Sequence, residues 1–464
     1  MTLIKSISGI RGTIGDKPGE GLTPVDIVKF TSAFAVWVKK QQNKEKYRVV
    51  TGRDARVSGA MVNHLVCGTL MGMGIDVTDL GPASTPTVEM AVQFDKADGG
   101  IILTASHNPA QWNALKLLDN KGEFLSAKDG EKLLGIADEG YFSYAETHNL
   151  GKYRTNRDFA GKHIEAVLRL PLVNIDAIRK CEFRIAIDCV NSVGGIILPE
   201  LLKALGVKDI IKVYCTPDGN FPHNPEPLPE NLKELAGIVK NRKADVGFAV
   251  DPDVDRLAII NEDGSMFGEE YTLVAVADYV LKNKPGNTVS NLSSTMALKE
   301  ITESHGGRYS ASAVGEVNVT AEMKRTGAVI GGEGNGGIIC PDLHYGRDAL
   351  AGIALFLTHL ANEDKKCSEL RKKYPSYHLS KNKIQLTENT DIDSVLQHIR
   401  KQYTGYPVNE TDGIKIEFPD GWVHLRKSNT EPVIRIYSEG TDREKAESLS
   451  DMIMKQIAGI NSGN

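Results

Sequence analysis

The fold is decided by the stretch YRVVTGRDARVSGAMVNHLVCGTLMGMGIDVTDLG, residues 47–81. Its first five residues predict a buried strand, residues 58–73 a helix and residues 75–80 a second strand. Two strands that are joined through a helix of this length pair in parallel with a right-handed crossover. A helix at 86–94 and a strand at 100–104 continue the alternation, so the chain begins with an α/β unit.

The same alternation recurs twice, and the pattern changes near the end of the chain. After residue 368, short amphipathic strands flanked by helices predict a smaller α+β unit. We therefore predict an α/β protein in which three similar mixed-sheet α/β domains precede a smaller α+β C-terminal domain. The predicted domains are residues 1–150, 151–256, 257–368 and 369–464.

The composition excludes several classes of protein. The 464 residues are 41% hydrophobic and 25% charged, as in ordinary globular proteins. A net charge of -5 without long runs of like charge argues against nucleic acid or an anionic membrane as the main partner. No apolar stretch is long enough for a membrane span or a signal peptide, and the six cysteines lack the spacing of a disulfide framework or a zinc site. We expect a cytoplasmic protein.

One loop after a predicted strand is TASHNP, residues 104–109. Ligands of open α/β sheets collect beyond the carboxyl ends of strands, so such loops are candidate sites. Ser106 beside His107 suggests a hydrolase, but adjacent residues project in different directions and no G-x-S-x-G motif surrounds Ser106. A plain polar turn and a hydroxyl that carries a phosphoryl group remain the alternatives.

A second loop, DPDVDRL at 251–257, places Asp251, Asp253 and Asp255 at alternate positions. Three carboxylates this close repel one another unless a cation neutralises them, which predicts a hard divalent metal. An EF-hand calcium loop has the same alternation, but its sixth position is Arg256 here and the flanks predict strands. A nucleophilic aspartate of the haloacid dehalogenase type is the other alternative, although a third carboxylate suits metal ligation better.

A third loop, GGEGNGG at 331–337, is rich in glycine. Its G-x-G-x-x-G spacing suggests a dinucleotide site, but Pro341 blocks the helix that should follow. The glycines more readily allow a close approach of a ligand whose hydroxyls bond to Glu333 and Asn335, as a sugar would. A plain glycine-rich turn is the alternative.

A fourth loop near the C-terminus gathers hydrogen-bond donors. Its side chains are those of Arg426, Ser428, Asn429 and Thr430, and Arg435 follows on a predicted strand. A guanidinium, hydroxyls and main-chain amides can together surround a phosphate. A hairpin turn with a surface arginine is the alternative.

Seven segments, in this order along the chain, resemble the α-D-phosphohexomutase superfamily. They are GIRG (9–12), GRDARVSG (52–59), TASHNP (104–109), PDGNFPHNPEP (217–227), DPDVDRL (251–257), GGEGNGG (331–337) and RKSNTEP (426–432). The resemblance implies three α/β domains and a smaller fourth domain around a central cleft. It also implies an isomerase that moves phosphate between the 1- and 6-positions of a hexose.

The resemblance implies how the reaction would be carried out at Ser106. This residue would be the phosphoserine, primed by a catalytic amount of a hexose bisphosphate. Its phosphate would hold Mg²⁺ together with Asp251, Asp253 and Asp255, and Arg11 would lie nearby.

Further residues receive roles by the same resemblance. Arg256 would help to neutralise charge at the serine, and Lys116 is the candidate general base, which requires a lowered pKa. Glu333 and Asn335 would bind sugar hydroxyls, and the RKSNTEP loop with Arg435 would bind the phosphate that does not react.

Three positions depart from the family pattern. Asn335 and Gly337 stand where the usual loop has serine and histidine, and His344 is either a replacement for that histidine or an ordinary surface residue. Ala114 stands for the glycine of an Asn-Gly-x-Lys motif, which weakens the assignment of Lys116.

The resemblance also suggests the substrate. The segment SNTEPVIRIYSEG (428–440) is most similar to phosphoglucosamine mutases. We therefore expect interconversion of glucosamine 6-phosphate and glucosamine 1-phosphate by a monomer or homodimer. Phosphomannomutase/phosphoglucomutase activity, a metal-dependent sugar phosphatase and a non-catalytic sugar-phosphate-binding protein are the alternatives.

Overall fold

The chain divides into two compact units. The computed structural model describes residues 2–6, 9–385, 392–427 and 433–462. Unit 1 comprises Met1–Thr272 and Asn335–Leu370, and unit 2 comprises Leu273–Gly334 and Arg371–Asn464. The architecture of α/β sheets with helices, followed by an antiparallel sheet with two helices at the C-terminus, confirms the predicted fold class. The domain boundaries at residues 150, 256 and 368 stay predictions.

Seven strands form the first sheet of unit 1. They are β1 (Ile4–Ser6), β2 (Gly9–Thr13), β3 (Tyr47–Arg53), β4 (Ile75–Pro82), β5 (Gly99–Leu103), β6 (Trp112–Leu118) and β7 (Tyr153–Thr155). Their order across the sheet is β1-β2-β6-β5-β3-β4-β7. Strand β3 is parallel to β4 and β5, as predicted, whereas β6 is antiparallel to β5 and β2. The alternation of strands and helices did not predict β6, because β6 follows β5 with no helix between them.

Helices cover both faces of this sheet. They are α1 (Pro24–Gln41), α2 (Gly59–Gly72), α3 (Thr85–Phe94), α4 (Ala127–Glu139) and α5 (Phe159–Leu168). Side chains that alternate along a strand point to opposite faces. Accordingly, Ile101 packs in a core with α1, α2 and α4, and Ile102 packs in another core with α3 and α5. This double covering leaves the loops at the strand ends free to carry chemistry.

The second sheet of unit 1 has four strands. Its strands are β8 (Arg184–Asp188), β9 (Asp209–Val213), β10 (Val246–Val250) and β11 (Leu257–Asn261), in the order β11-β10-β8-β9. The accompanying helices are α6 (Ile175–Lys180), α7 (Gly194–Ala204) and α8 (Lys233–Arg242). Strand β10 is parallel to β8 and antiparallel to β11. The serine loop and the aspartate loop therefore each join two antiparallel strands.

The chain then passes through the third α/β region. Its elements are α9 (Glu269–Asn283), β12 (Thr288–Asn291), α10 (Met296–Ser304), β13 (Tyr309–Ser312), α11 (Glu316–Thr326), β14 (Ile330–Glu333), β15 (Gly337–Ile339), α12 (Ala349–Glu363) and α13 (Cys367–Arg371). In unit 2, β12 lies between β13 and β14 and is parallel to both. The side chain of Asp348 caps the N-terminus of α12 by accepting from Leu350 N and Ala351 N.

The last sheet is antiparallel, as predicted for the C-terminal region. Its strands are β16 (His378–Gln385), β17 (Val408–Asn409), β18 (Ile414–Phe418), β19 (Gly421–Lys427) and β20 (Val433–Gly440), in the order β16-β20-β19-β18-β17. Helices α14 (Ile392–Gln402) and α15 (Arg443–Ser462) pack on it around an apolar core. Among the helices in the described ranges, none has the length and apolar character that crossing a bilayer requires.

Candidate active site

Ser106 lies in the loop between β5 and β6 and contacts the aspartate loop. Its backbone adopts a left-handed conformation with φ of 49°, which is uncommon for a residue with a Cβ atom. Its N–H donates to Thr104 Oγ1 at 2.9 Å. Its hydroxyl donates to Asp251 Oδ2 at 2.7 Å, and the side chain is buried. Two of the loops singled out in the sequence therefore meet at this serine.

His107 lies closer to the serine hydroxyl than its sequence position suggests. Its Nδ1 is 3.4 Å from Ser106 Oγ, so the expectation that the two side chains project apart is wrong. The positive charge of Arg256, together with burial, holds the pKa of His107 well below its ordinary value. Of its two side-chain partners, the serine hydroxyl is nearer to Asp251 Oδ2 at 2.7 Å than to the imidazole at 3.4 Å.

The buried guanidinium of Arg56 holds the serine loop in place. Its Nε donates to Asp54 Oδ2 at 3.0 Å. Its two terminal nitrogens donate, at 2.6 to 3.1 Å, to the main-chain carbonyl groups of Ser106, Asn108, Pro109 and Trp112. One side chain thus fixes the backbone from Ser106 to Trp112. Sequence reasoning placed Arg56 in a family segment but assigned it no role.

The three aspartates are fully buried in the loop between β10 and β11. One oxygen of each lies within 4.8 Å of the others. Val254, a β-branched residue between two of the aspartates, has φ of 63°, which is a strained conformation for such a residue. Because strands rather than helices flank the loop, the structure excludes the EF-hand alternative.

The protonation of the aspartates reflects their crowding. Burial raises the pKa of Asp251 well above its ordinary value, and the charges of Asp255 and Asp253 raise it further. Burial also acts to raise the pKa of Asp253, but the ammonium group of Lys116 outweighs this effect and the pKa is lowered. Lys116 therefore stabilises the negative charge of Asp253, whereas the negative charge of Asp251 is disfavoured in the chain alone.

The oxygen atoms of this site suit a divalent cation. Asp253 Oδ1 and Asp255 Oδ1 are buried and have no hydrogen-bond partner within the described part of the chain. A carboxylate oxygen that loses water without gaining a partner is costly. Three converging carboxylates are the ligands that Mg²⁺ prefers in proteins. The donor set therefore fits the hard metal that the alternating aspartates predict.

Lys116, on β6, is buried beside the same carboxylates. Its Nζ is 2.7 Å from Asp253 Oδ2 and 3.7 Å from Asp255 Oδ2. Burial acts to lower the pKa of Lys116, but the two carboxylates outweigh burial and raise it. This arrangement therefore does not give Lys116 the lowered pKa that a general base requires. The ammonium group balances the charge of the aspartates instead.

Several guanidinium groups gather around the serine and the aspartates. Arg11 Nη1 donates to Asn108 Oδ1 at 3.2 Å, and Arg256 Nε lies 3.8 Å from Asp255 Oδ1. Burial lowers the pKa of Arg11, and the charge of Arg256 lowers it further. Such a concentration of positive charge favours an anion next to Ser106.

Arg347 is a further cation of the site, and sequence reasoning missed it. Its Nη2 donates to Asp255 Oδ2 at 2.6 Å. A Cβ atom at Gly337 would lie 2.3 Å from Arg347 Cδ, so the arginine side chain fills the space that a side chain at position 337 would need. A glycine at position 337, where the family pattern has histidine, therefore leaves room for the side chain of Arg347. The neighbouring Asn335 accepts from Gly337 N at 3.2 Å.

His344 is buried, which excludes the alternative of an ordinary surface histidine. Its Nε2 lies 3.1 Å from Asp348 Oδ2, and its Nδ1 lies 3.4 Å from Glu89 Oε2. These contacts engage both ring nitrogens with carboxyl groups.

Glu333 lies in unit 2 at the end of β14 and is buried. Its Oε1 accepts from Asn291 Nδ2 at 2.9 Å and from Gly315 N at 3.1 Å. These bonds hold the carboxylate in a fixed orientation, as a group that recognises hydroxyls requires.

Two arginines of unit 2 stand side by side. Arg426 on β19 is directly opposite Arg435 on β20. Burial lowers the pKa of Arg426, and Arg435 lowers it further against the opposing effect of Asp412. Arg426 Nε is buried with no hydrogen-bond partner among the residues that the structure describes. This arrangement favours an anionic ligand. Ser428, Asn429 and Thr430 lie outside the described residues.

Models of one protein family match almost the whole chain. The phosphoglucomutase/phosphomannomutase alpha/beta/alpha domains I, II and III match residues 3–143, 161–264 and 268–377, and the C-terminal domain of that family matches residues 381–456. The chain belongs to the phosphoglucomutase/phosphomannomutase family. It is therefore a phosphohexomutase, an enzyme of the isomerase class, as the resemblance of the seven segments predicts.

Individual members of this mutase family are similar over their full length. A phosphoglucomutase/phosphomannomutase from Thermococcus kodakarensis is 37% identical over 457 residues, which cover 97% of both chains. A probable phosphoglucosamine mutase from Methanopyrus kandleri is 32% identical and covers 96% of this chain and 95% of its own. A crystal structure of a phosphoglucomutase/phosphomannomutase family protein from Burkholderia thailandensis is 26% identical, with a TM-score of 0.82, and covers 99% of this chain and 98% of its own.

Proposed function

We propose that this mutase interconverts glucosamine 6-phosphate and glucosamine 1-phosphate through a phosphoserine at Ser106 and a bisphosphorylated sugar. The observation that carries the proposal is the 2.7 Å hydrogen bond from the Ser106 hydroxyl to Asp251, because the hydroxyl that would carry the phosphoryl group lies beside three carboxylates that could hold a metal ion. We further propose that the enzyme acts as a cytoplasmic monomer or homodimer on a small-molecule substrate, without a nucleic acid or membrane partner.

In the first half of the reaction, phospho-Ser106 gives its phosphoryl group to the free hydroxyl of the sugar phosphate. The bond between phosphorus and Ser106 Oγ breaks, a bond between phosphorus and the sugar oxygen forms, the sugar hydroxyl gives its proton to a base, and Ser106 Oγ takes up a proton. In the second half, the Ser106 hydroxyl gives its proton to the base and attacks the other phosphate of the bisphosphorylated sugar, and the sugar oxygen that leaves that phosphate takes up a proton. No phosphate is released, so the serine ends as it began.

Asp251, Asp253 and Asp255 would hold Mg²⁺ together with the phosphate on Ser106. When it is bound, Mg²⁺ neutralises the carboxylates and polarises the phosphoryl group. The chain contributes the fixed placement of these ligands: Thr85 Oγ1 donates to Asp253 Oδ2 at 2.6 Å, and Arg347 orients Asp255. A catalytic amount of a hexose bisphosphate would prime the serine.

The cations around the serine stabilise the phosphoryl group during transfer. Phosphoryl transfer depends on placement and charge neutralisation more than on covalent chemistry by the protein. Arg11, Arg256 and Arg347 supply positive charge, and Arg56 positions the serine by holding its carbonyl oxygen. Lys116 remains the candidate for the base, on condition that the charges of Asp253 and Asp255, which raise its pKa, are neutralised.

The sugar and the second phosphate are assigned to residues of two segments. Glu333 and Asn335 would bind the hydroxyls of the sugar. Arg426, Ser428, Asn429, Thr430 and Arg435 would bind the phosphate that does not react. The bisphosphorylated sugar must bind in two orientations, so these groups serve both the 1- and the 6-phosphate.

The glucosamine assignment rests on the segment SNTEPVIRIYSEG and agrees with the name of the Methanopyrus kandleri relative. Phosphomannomutase/phosphoglucomutase activity is the second candidate, and the name of the Thermococcus kodakarensis relative favours it. The two candidates differ in one substituent of the sugar, an amino group or a hydroxyl at the second carbon.

One comparison separates the candidates. The catalytic efficiency should be measured on glucosamine 6-phosphate, mannose 1-phosphate and glucose 1-phosphate, each with a catalytic amount of its bisphosphate. We expect the highest value for glucosamine 6-phosphate, by about tenfold or more. A higher efficiency on mannose or glucose phosphate would assign the second candidate. Release of inorganic phosphate equal to substrate consumed would indicate a phosphatase and contradict both.

A further inference from the structure

A second group of ligand-type side chains lies in unit 1, apart from the aspartate triad. His163 on α5, His344 and Asp348 bring one nitrogen or oxygen atom each within 4.8 Å of the others. All three are at most 5% exposed. The proposed phosphoryl transfer uses none of them, so their convergence requires another explanation.

The two imidazole rings share one oxygen atom. His163 Nε2 lies 2.8 Å and His344 Nε2 lies 3.1 Å from Asp348 Oδ2. The other oxygen of Asp348 accepts from the main chain at the start of α12. The N-terminal cap therefore fixes this carboxylate and leaves Oδ2 directed between the two rings.

The outer nitrogens of both rings face oxygen atoms of α3. His163 Nδ1 lies 2.9 Å from Thr87 Oγ1, and His344 Nδ1 lies 3.4 Å from Glu89 Oε2. Histidines that bind a metal almost always give their second ring N–H to a carboxylate, a carbonyl or another oxygen atom, which fixes the tautomer. Both rings have an oxygen atom in that position here.

The charges of the group also require a cation. His344 lies between two buried carboxyl groups, those of Glu89 and Asp348. An ionised buried carboxylate needs a positive partner, which is either a doubly protonated imidazole or a metal ion.

We infer that His163 Nε2, His344 Nε2 and Asp348 Oδ2 form a structural site for a divalent metal of the zinc type. Two imidazoles and a carboxylate, with a fourth position for water, are a ligand set that Zn²⁺ commonly takes. Tetrahedral ligands at zinc distances lie about 3.3 Å apart, so the two distances to Asp348 Oδ2, 2.8 and 3.1 Å, would expand slightly, and the three ligand atoms lie within 4.8 Å of one another. Both rings would then be neutral, and each Nδ1–H would donate to α3.

A metal ion at this site would also help to position the three aspartates Asp251, Asp253 and Asp255. Helix α3, which faces both rings through Thr87 and Glu89, begins at Thr85, whose hydroxyl donates to Asp253. Asp348 follows Arg347, whose guanidinium donates to Asp255. A cation that ties α3, α5 and the start of α12 together would therefore hold two aspartates of the triad in position.

Metal content tests this inference directly. The full-length protein should be purified without chelators and dialysed into a buffer that contains Mg²⁺ but no transition metals. Its zinc content should then be measured by inductively coupled plasma mass spectrometry. We expect about one zinc ion per chain, retained in Asp251→Asn and lost in His163→Gln and His344→Gln. His359→Gln is the matched control, because His359 is a buried histidine of α12 outside the group, and it should keep its zinc.

Two outcomes would overturn the inference. One is wild-type protein that binds no zinc even after incubation with an excess of Zn²⁺. The other is zinc that remains in both His163→Gln and His344→Gln. If these variants fail to fold, Co²⁺ loaded into the wild-type protein decides: the visible absorption of a tetrahedral site with nitrogen ligands supports the inference, and its absence refutes it.

Discussion

The hydroxyl of Ser106 donates a hydrogen bond of 2.7 Å to Asp251 Oδ2, although 145 residues separate the two along the chain. Each residue lies in a loop that joins an antiparallel pair of strands in its own sheet. The contact brings a nucleophilic oxygen to three converging carboxylates, where a divalent cation and a phosphoryl group would meet. The predictions below test the groups that maintain this arrangement.

Gly337→Ala should disturb Arg347. The added Cβ would lie 2.3 Å from Arg347 Cδ, so the arginine must leave Asp255 or the strand must shift. Overpacking of this kind costs about 1–3 kcal/mol. We expect a catalytic efficiency lower by about tenfold or more, measured by steady-state kinetics. Gly135→Ala on α4 is the control, because nothing lies within 4 Å of its Cβ position, and it should keep full activity. Equal activity of the two variants would contradict the role of Arg347.

Arg56→Lys should loosen the serine loop. An ammonium group cannot donate to four carbonyl groups and Asp54 at once, so buried carbonyl oxygens lose their partners. We expect the free energy of unfolding to fall by about 3–5 kcal/mol and activity to fall with it. Arg443→Lys, at an exposed arginine of α15, should change stability by no more than about 0.5 kcal/mol. Denaturant unfolding checks both values, and an unchanged stability of Arg56→Lys would refute the positioning role.

The stabilisation of the protein by Mg²⁺ should grow with pH. The pKa of Asp251 is raised in the folded chain above its ordinary value of 3.8. Below the raised pKa the carboxyl keeps its proton and must lose it to bind metal, whereas above it the carboxylate is ready to bind. In the metal-free protein the pH dependence has the opposite sign. The free energy of unfolding that Asp251 contributes there is lost as pH rises through its raised pKa.

Thermal unfolding with and without Mg²⁺ between about pH 5 and pH 8 measures this dependence. We expect the increase in Tm that Mg²⁺ produces to become larger as pH rises. Asp251→Asn, which has no proton to lose, should show a smaller increase that does not vary with pH. An increase in the wild-type protein that is constant across this range would contradict the assignment of Asp251 as a metal ligand.

Arg426→Ala should weaken substrate binding more than turnover. A charged hydrogen bond to phosphate contributes about 1.5–3 kcal/mol, which corresponds to an increase in KM of about 10- to 100-fold. The reason is that Arg426 carries a buried Nε without a hydrogen-bond partner in the described residues. Arg325→Ala, at an exposed arginine of α11, is the control and should leave KM unchanged. An unchanged KM for Arg426→Ala would count against the phosphate-binding role.

The spacing of apolar residues was enough to predict the alternating helices and strands, because each helix and strand has its own period. It did not predict β6, since β6 follows β5 through the serine loop rather than through a helix, whereas the strand after the aspartate loop was expected from the flanks of that loop. Residue type and spacing singled out the serine loop and predicted a metal at the three aspartates, whereas the expected role of Ser106 came from the family resemblance. The contact between the serine and the aspartates was not predicted from residue type and spacing, because it joins two loops that are distant in the chain.

The sequence also did not predict the contacts of several side chains whose role depends on packing. Arg56 and Arg347 act through buried contacts with carbonyl groups and with Asp255, and a single arginine in a sequence carries no sign of such partners. The pKa of Lys116 depends on two carboxylates from another loop, which raise it, so the lowered pKa that its candidate role requires could not be checked from the sequence. The sequence left His344 as either a site histidine or a surface residue, because nothing in it shows that Glu89 and Asp348 enclose the ring.

The central claim is that Ser106 carries the phosphoryl group between the two positions of the sugar. The most direct test is to label the enzyme with a radioactive hexose bisphosphate, map the label by peptide sequencing and then add unlabelled glucosamine 6-phosphate. We predict that the label lies on Ser106 and passes to the sugar at a rate no slower than steady-state turnover, and that Ser106→Ala neither takes up label nor turns over. Label on another residue, or full turnover by Ser106→Ala, would contradict the account.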